Sequence, residues 1–139
     1  CLSVTQFAID VLKVKHIMVV GHYGCGGIGA ALTQTRVGLA DLWLQHIQDV
    51  HAKYKPHLDA LPEDERHDKL CELNVIEQVM NLCSSIVVRD AWQRGQPFTI
   101  HGWIYSLNNG SLRNLGVTVS AEDDPATVSA KALKALGVG

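Results

Sequence analysis

The stretch His16-Ile17-Met18-Val19-Val20-Gly21-His22-Tyr23-Gly24-Cys25-Gly26-Gly27-Ile28-Gly29 decides how this chain reads. It opens as a short, mostly apolar run with two adjacent valines, stopped at Gly21. That is the pattern of a strand with Val19 and Val20 buried. A glycine-rich loop follows, and glycine lets a backbone take positive φ or approach a ligand closely. In that loop His22 and Cys25 are spaced H-x-x-C at the carboxyl end of the strand. Imidazole and thiolate are preferred zinc ligands. Two intervening residues in a glycine-bearing turn let both side chains converge on one ion. Sites in open α/β sheets also form at the carboxyl ends of strands. The plainer alternative is a core histidine beside a buried free cysteine.

A second motif overlaps the first. Gly24-x-Gly26-x-x-Gly29 fits the dinucleotide fingerprint after a strand. That reading needs a second strand soon after, ending in an acidic residue. The segment from Leu39 to Tyr54 instead repeats apolar residues at helical spacing, with Asp41 and Asp49 inside it. The spacing therefore disfavours a nucleotide site.

Working outward, residues 3 to 12 read as a helix with Ser3 and Gln6 as a capping box. Pro56 ends the helix that starts near Leu39. Pro62 followed by Glu63, Asp64 and Glu65 suits the start of another helix. Leu70 to Leu82 is helical in pattern. Ser84 to Arg94 reads as a further helix closed by Gly95, although Ile86-Val87-Val88 alone fits a strand. Phe98 to Tyr105 is a strand, Asn109-Gly110 a hairpin turn, and Leu115, Val117 and Val119 alternate as a half-buried strand. Asp124-Pro125 opens a last helix and Gly137 closes it. The expected fold is α/β, a small mainly parallel sheet flanked by helices. A sheet so thin for so much helix suggests a missing strand.

The chain has 139 residues, 47% apolar and 19% charged, with a formal charge of -2. This is one ordinary globular domain and excludes disordered, collagenous and disulfide-scaffold classes. No basic block marks a nucleic-acid partner, and no apolar run approaches a membrane span. The first residue is Cys1, so residues 1–139 are expected to be a single domain incomplete at its N-terminus, and a leader cannot be judged. Four cysteines, Cys1, Cys25, Cys71 and Cys83, read as reduced thiols or metal ligands of a cytoplasmic protein.

Zinc takes four ligands, or three and a water. Cys71 and Cys83 fall on different faces of a helix and are expected to pack as small hydrophobes. His46, His51, His57 and His67 lie on polar segments and are expected to be solvated. His101, in a strand, reads as a hydrogen-bonded core residue rather than a ligand. The remaining ligands are expected upstream of Cys1.

Gly21-His22-Tyr23-Gly24-Cys25-Gly26-Gly27 resembles the zinc loop of the β-class carbonic anhydrases. Cys71-Glu72-Leu73-Asn74-Val75 and Ile100-His101-Gly102-Trp103-Ile104-Tyr105 are similar to two further stretches of that family. The resemblance runs from Cys1 to about Ser120. It implies a β-carbonic-anhydrase-like fold, a Zn2+ cofactor and reversible hydration of carbon dioxide to bicarbonate. In that family two cysteines, a histidine and either an aspartate or a water hold the zinc, and His22 and Cys25 match the histidine and the second cysteine. The first cysteine, the aspartate and an arginine that orients the nucleophile come from a Cys-x-Asp-x-Arg motif, which these residues do not contain. The catalytic Asp–Arg pair is therefore not in this chain. Gly26 and Gly27 match positions near the substrate. Tyr105 matches a tyrosine of the family's regulatory bicarbonate site, or is simply a strand aromatic. The resemblance also implies a homodimer or homotetramer, without nucleic-acid or membrane partners.

Two rivals remain on these residues. Relatives of the same fold hydrolyse carbonyl sulfide or carbon disulfide. A non-catalytic zinc-binding or assembly fragment would also look like this. With two of the family's ligands, the chain alone is expected to be inactive.

Overall fold

The structure, a computed structural model, describes residues 2–138. Helix α1 (Leu2–Asp10) leads to strand β1 (His16–His22), helix α2 (Gly26–Thr33) and a 3-10 turn over Gly38–Ala40. Helices α3 (Asp41–Lys53), α4 (Lys55–Asp59), α5 (Glu63–Ser84) and α6 (Ile86–Gln93) follow. Strands β2 (Thr99–Ser106) and β3 (Ser111–Val119) then form a hairpin, and α7 (Pro125–Ala135) closes the described chain.

The strand order is β1-β2-β3. β1 and β2 are parallel, in register from His16 opposite Thr99 to His22 opposite Tyr105. β2 and β3 are antiparallel, with an irregularity between Gly102 and Trp103. The small α/β sheet flanked by helices is as expected, and it is mixed, with one parallel and one antiparallel pairing where a mainly parallel sheet was expected. The stretch from Ile86 is helix, capped by the Ser85 hydroxyl accepting from the Val88 amide.

Helix α5 carries the core. Glu63, Asp64 and Glu65 occupy its first turn, where carboxylates complement the helix dipole. Its inward face buries Leu73, Ile76, Val79 and Cys83, spaced three and four residues apart. This face packs against all three strands, and α7 packs on β3 and α5. Two glycines make the approach close. A Cβ on Gly21 would lie 2.5 Å from Val75 Cγ2 and 3.3 Å from Ile104 Cδ1. On Gly102 it would meet Val117 Cγ1 and Val79 Cγ2, each at 3.1 Å.

Strand alternation corrects one expectation. Ile17, Val19 and Gly21 turn toward the core, whereas His16, Met18, Val20 and His22 are exposed. Val20 is 49% accessible rather than buried. Successive side chains of a strand point to opposite faces, so adjacent valines cannot both meet α5.

Candidate metal centre

The site is built where β1 ends. His22 is its last residue, and Cys25 is the N-cap of α2. The turn between them is made at Gly24, whose φ of +67° falls in the left-handed region that favours glycine. The glycine-rich loop expected through Gly29 is shorter than its sequence suggests. From Gly26 the chain is already helical. There the glycines serve packing: a Cβ on Gly27 would lie 3.3 Å from Leu44 Cδ2 and 3.8 Å from Cys25 Sγ, whereas Gly26 borders open space.

His22 is exposed and Cys25 half-buried. His22 Nδ1 lies 2.9 Å from the Tyr23 carbonyl oxygen. A carbonyl only accepts, so Nδ1 carries the proton and the lone pair is on Nε2. A ligating histidine commonly donates its other N–H in this way. Cys25 is a free thiol at the start of a helix, where N–H groups without intrahelical acceptors favour negative charge. This donor set fits zinc: one imidazole with a defined lone pair and one thiol, on either side of a glycine turn.

The loop is anchored on its other side by Tyr23. Its amide donates to the Tyr105 carbonyl at 3.0 Å, tying the loop to β2. Its hydroxyl donates to Glu72 Oε1 at 2.7 Å. Arg113 on β3 donates to both that hydroxyl and the Glu72 carboxylate. Lys69 donates to Glu72 Oε2 at 3.0 Å and to the Leu136 carbonyl at 3.3 Å. Burial pushes the Glu72 carboxyl up. The bonds from Tyr23 and Lys69 and the charges of Lys69 and Arg113 outweigh it and hold the group below the usual carboxylate range. Burial and the bond to Glu72 push the Tyr23 phenol up to about 12. A buried carboxylate is tolerable because its oxygens are paired.

A second set of side chains backs the loop. His67 on α5 is half-buried, not solvated, and its Nε2 lies 3.0 Å from the Cys25 carbonyl oxygen. Cys71 Sγ lies 3.8 Å from His67 Nδ1. Cys71 is buried as expected, and burial pushes its thiol up to about 12, opposed by a hydrogen bond with the Cys25 backbone. Cys83 is buried too, its thiol pushed up to about 11 by burial. Of the other histidines expected in solvent, His46 is exposed, while His51 and His57 are half-buried. His57 turns Nε2 into the protein, without a hydrogen-bond partner among the described residues, so its segment is less open than its polar composition implied.

The remaining candidates sit as follows. Tyr105 pairs with His22 in the sheet register, beside the end of β1. His101 is half-buried and hydrogen-bonds His16 at 3.1 Å and Thr118 at 3.3 Å, away from the loop. Cys1 lies outside the described residues. Sequence reasoning missed the roles of Glu72 and His67. An acidic residue inside an apolar helical run was the signal for the first. The i, i+4 spacing of His67 and Cys71 was the signal for the second.

The family model for carbonic anhydrase matches residues 1–112. A carbonic anhydrase of Emericella nidulans is 42% identical over 117 residues, covering 84% of this chain and 51% of the relative. One of Candida albicans is 36% identical, covering 88% of this chain and 44% of the relative. The Coccomyxa β-carbonic anhydrase, solved in complex with acetazolamide, superposes with a TM-score of 0.82 at 39% identity. That match covers 86% of this chain and 55% of the other. The chain belongs to the β-carbonic anhydrase family, and it spans about half the length of the curated relatives it matches.

Proposed function

We propose that the protein catalyses reversible hydration of carbon dioxide to bicarbonate and a proton, with zinc held in part by His22 and Cys25. The observation that carries this is the H-x-x-C loop itself, in a chain of this family. The Tyr23 carbonyl accepts a hydrogen bond from His22 Nδ1–H, which leaves the Nε2 lone pair for the metal. Zinc, when bound, acidifies a water and polarises the substrate. His22 and Cys25 contribute donors of suitable softness. The Tyr23–Glu72–Arg113 network holds the loop. Gly26, at the N-terminus of α2, borders open space beside Cys25 for a small substrate, and Gly27 next to it is assigned to the same substrate site. Tyr105, next to His22, is assigned to a bicarbonate contact on the same reading.

The protein is further proposed to be a cytoplasmic homodimer or homotetramer. Free cysteines suit a reducing compartment. Among the described residues no helix is long and apolar enough to cross a membrane. Two β-carbonic anhydrases of Sordaria macrospora, one of which matches at a TM-score of 0.76, are tetrameric. Val4, Phe7 and Leu12 of this chain expose apolar side chains near its start.

The test is stopped-flow carbon dioxide hydration with zinc analysis on the full-length protein, on His22→Ala and Cys25→Ser, and on the 139-residue chain. We expect loss of zinc and activity in both variants and little activity in the chain, which lacks the Cys-x-Asp-x-Arg motif. Full zinc content and rate in both variants would remove the assignment. Activity on carbonyl sulfide but not carbon dioxide would move the protein to the hydrolase reading.

A further inference from the structure

We propose that His67, Asp68 and Cys71 form a second site for a zinc-like divalent cation, on α5 behind the H-x-x-C loop. The inference does not rest on the carbonic anhydrase reading. One imidazole nitrogen, one carboxylate oxygen and one sulfur of these residues lie within 4.8 Å of one another. His67 Nδ1 is 3.8 Å from Cys71 Sγ and 3.5 Å from Asp68 Oδ1. A tetrahedral zinc with ordinary bond lengths sets nitrogen and sulfur about 3.6 Å apart, and nitrogen and oxygen about 3.4 Å apart. The side chains already stand near those separations.

The histidine is also oriented as a ligand. Its Nε2–H is donated to the Cys25 carbonyl at 3.0 Å, which leaves the Nδ1 lone pair facing the carboxylate and the sulfur. That is the outer-shell arrangement of a metal-bound imidazole. His67 and Gly29 also border a groove of about 760 Å³ between α2, α3 and the start of α5. Arg66 also borders this groove, but it donates to the carbonyls of Leu61 and Asp59 and is held there. Lys69 is engaged by Glu72. Binding would displace the Cys71 thiol proton to solvent, while His67 keeps its Nε2 proton. A dication against one thiolate and one carboxylate leaves no net charge, and the fourth position goes to water.

Such an ion would staple α5 to the loop through the His67–Cys25 hydrogen bond.

The test is Co2+ titration of the metal-stripped protein, followed by the thiolate-to-cobalt charge-transfer band. The background is His22→Ala/Cys25→Ser, which removes the two side-chain donors that this chain gives the first site. We expect one cobalt per chain with a thiolate band in that background. Adding Cys71→Ser should abolish the band. Adding His67→Gln should weaken cobalt binding by more than the about 10–100-fold typical of losing an outer-shell partner. No thiolate band in the His22→Ala/Cys25→Ser protein would overturn the proposal. A band that survives Cys71→Ser would do the same, since the sulfur would then lie elsewhere. Should Cys71→Ser fail to fold, His67→Gln decides: it is half-buried at the surface, and unchanged cobalt affinity in it refutes the site.

Discussion

Gly21 and His22 are neighbours in β1 and belong to different parts of the molecule. Gly21 faces α5, where even a Cβ would press on Val75. His22 faces outward, exposed, and hydrogen-bonds the backbone of the next residue. A strand turns adjacent residues to opposite faces. One residue therefore serves packing while the next is free for chemistry. The inner position fixes where the loop begins, and the outer one is left to bind. This division should show in separate measurements, with stability tracking the inner positions and metal content tracking the outer ones.

The largest effect is expected at the inner position. Gly21→Ala drives a methyl to within 2.5 Å of Val75 Cγ2, on a short branched side chain of a packed helix. Overpacking of this kind costs about 2–3 kcal/mol. Urea unfolding should show a lower midpoint with an unchanged slope. A cost under about 0.5 kcal/mol, the level of an ordinary surface change, would mean that β1 does not press on α5 as described.

Next comes Glu72→Gln, which removes the charge that Lys69 and Arg113 share. Hydrogen bonds to a charged group are worth about 1.5–3 kcal/mol. Arg113 is 51% accessible, so solvent screening reduces its part, and about 1–2 kcal/mol is expected at neutral pH. The pH dependence follows from the depressed carboxyl. A group whose folded value is lowered stabilises the fold fully above its unfolded value, here 4.5, and loses that contribution as pH falls through the lower folded value. Wild type and Glu72→Gln should therefore converge in stability on acidification below about pH 4.5. A constant gap between the two curves would show that the charge of Glu72 is not what its partners hold.

The same division explains what the sequence made legible. Periodicity recovered β1, β2, β3, α3 and α5, because each must bury one face and so carries its period openly. It also placed the hairpin turn at Asn109-Gly110 and the Asp124 cap, whose carboxylate accepts from the Thr127 amide at 3.0 Å. It misjudged Val20, since two adjacent valines do not say which one faces in. It read Gly26 and Gly29 as loop, because glycine lowers helix propensity and the packing of α2 on α3 overrides that. The H-x-x-C spacing was visible, but its meaning came from resemblance to a family, not from spacing. His67 stayed hidden because its neighbours Glu65, Arg66, Asp68 and Lys69 are polar. Its bond to the Cys25 backbone carbonyl leaves no mark in sequence, although its i, i+4 spacing to Cys71 does.

Tyr23 crosses the boundary between the two regions. Its carbonyl holds His22, while its hydroxyl reaches the buried Glu72. Tyr23→Phe removes the hydroxyl without emptying the space of the ring. The loss should be about 1 kcal/mol, one hydrogen bond. It should also be coupled to Glu72. In a double-mutant cycle, Tyr23→Phe should cost less in the Glu72→Gln background than in wild type. Strict additivity would show that the loop and α5 are held together by something else.

The smallest effect is expected at His22, and it is the most informative. His22→Ala removes an exposed side chain whose hydrogen bond to the Tyr23 carbonyl is local, so stability in the presence of a chelator should stay within about 0.5 kcal/mol of wild type. With zinc added, the two proteins should separate. An ion that binds only the folded state stabilises it by RT ln(1 + [L]/Kd), about 2.7 kcal/mol at a hundredfold excess over Kd. Wild-type protein should gain that increment. His22→Ala should gain less, retaining any part contributed by other sites. Comparing each zinc-induced shift with that of Cys25→Ser separates the loop from α5: the two loop variants should lose the same part. If His22→Ala is destabilised equally with and without zinc, His22 is a packing residue after all. The contrast with Gly21 would then fail, and the metal centre with it.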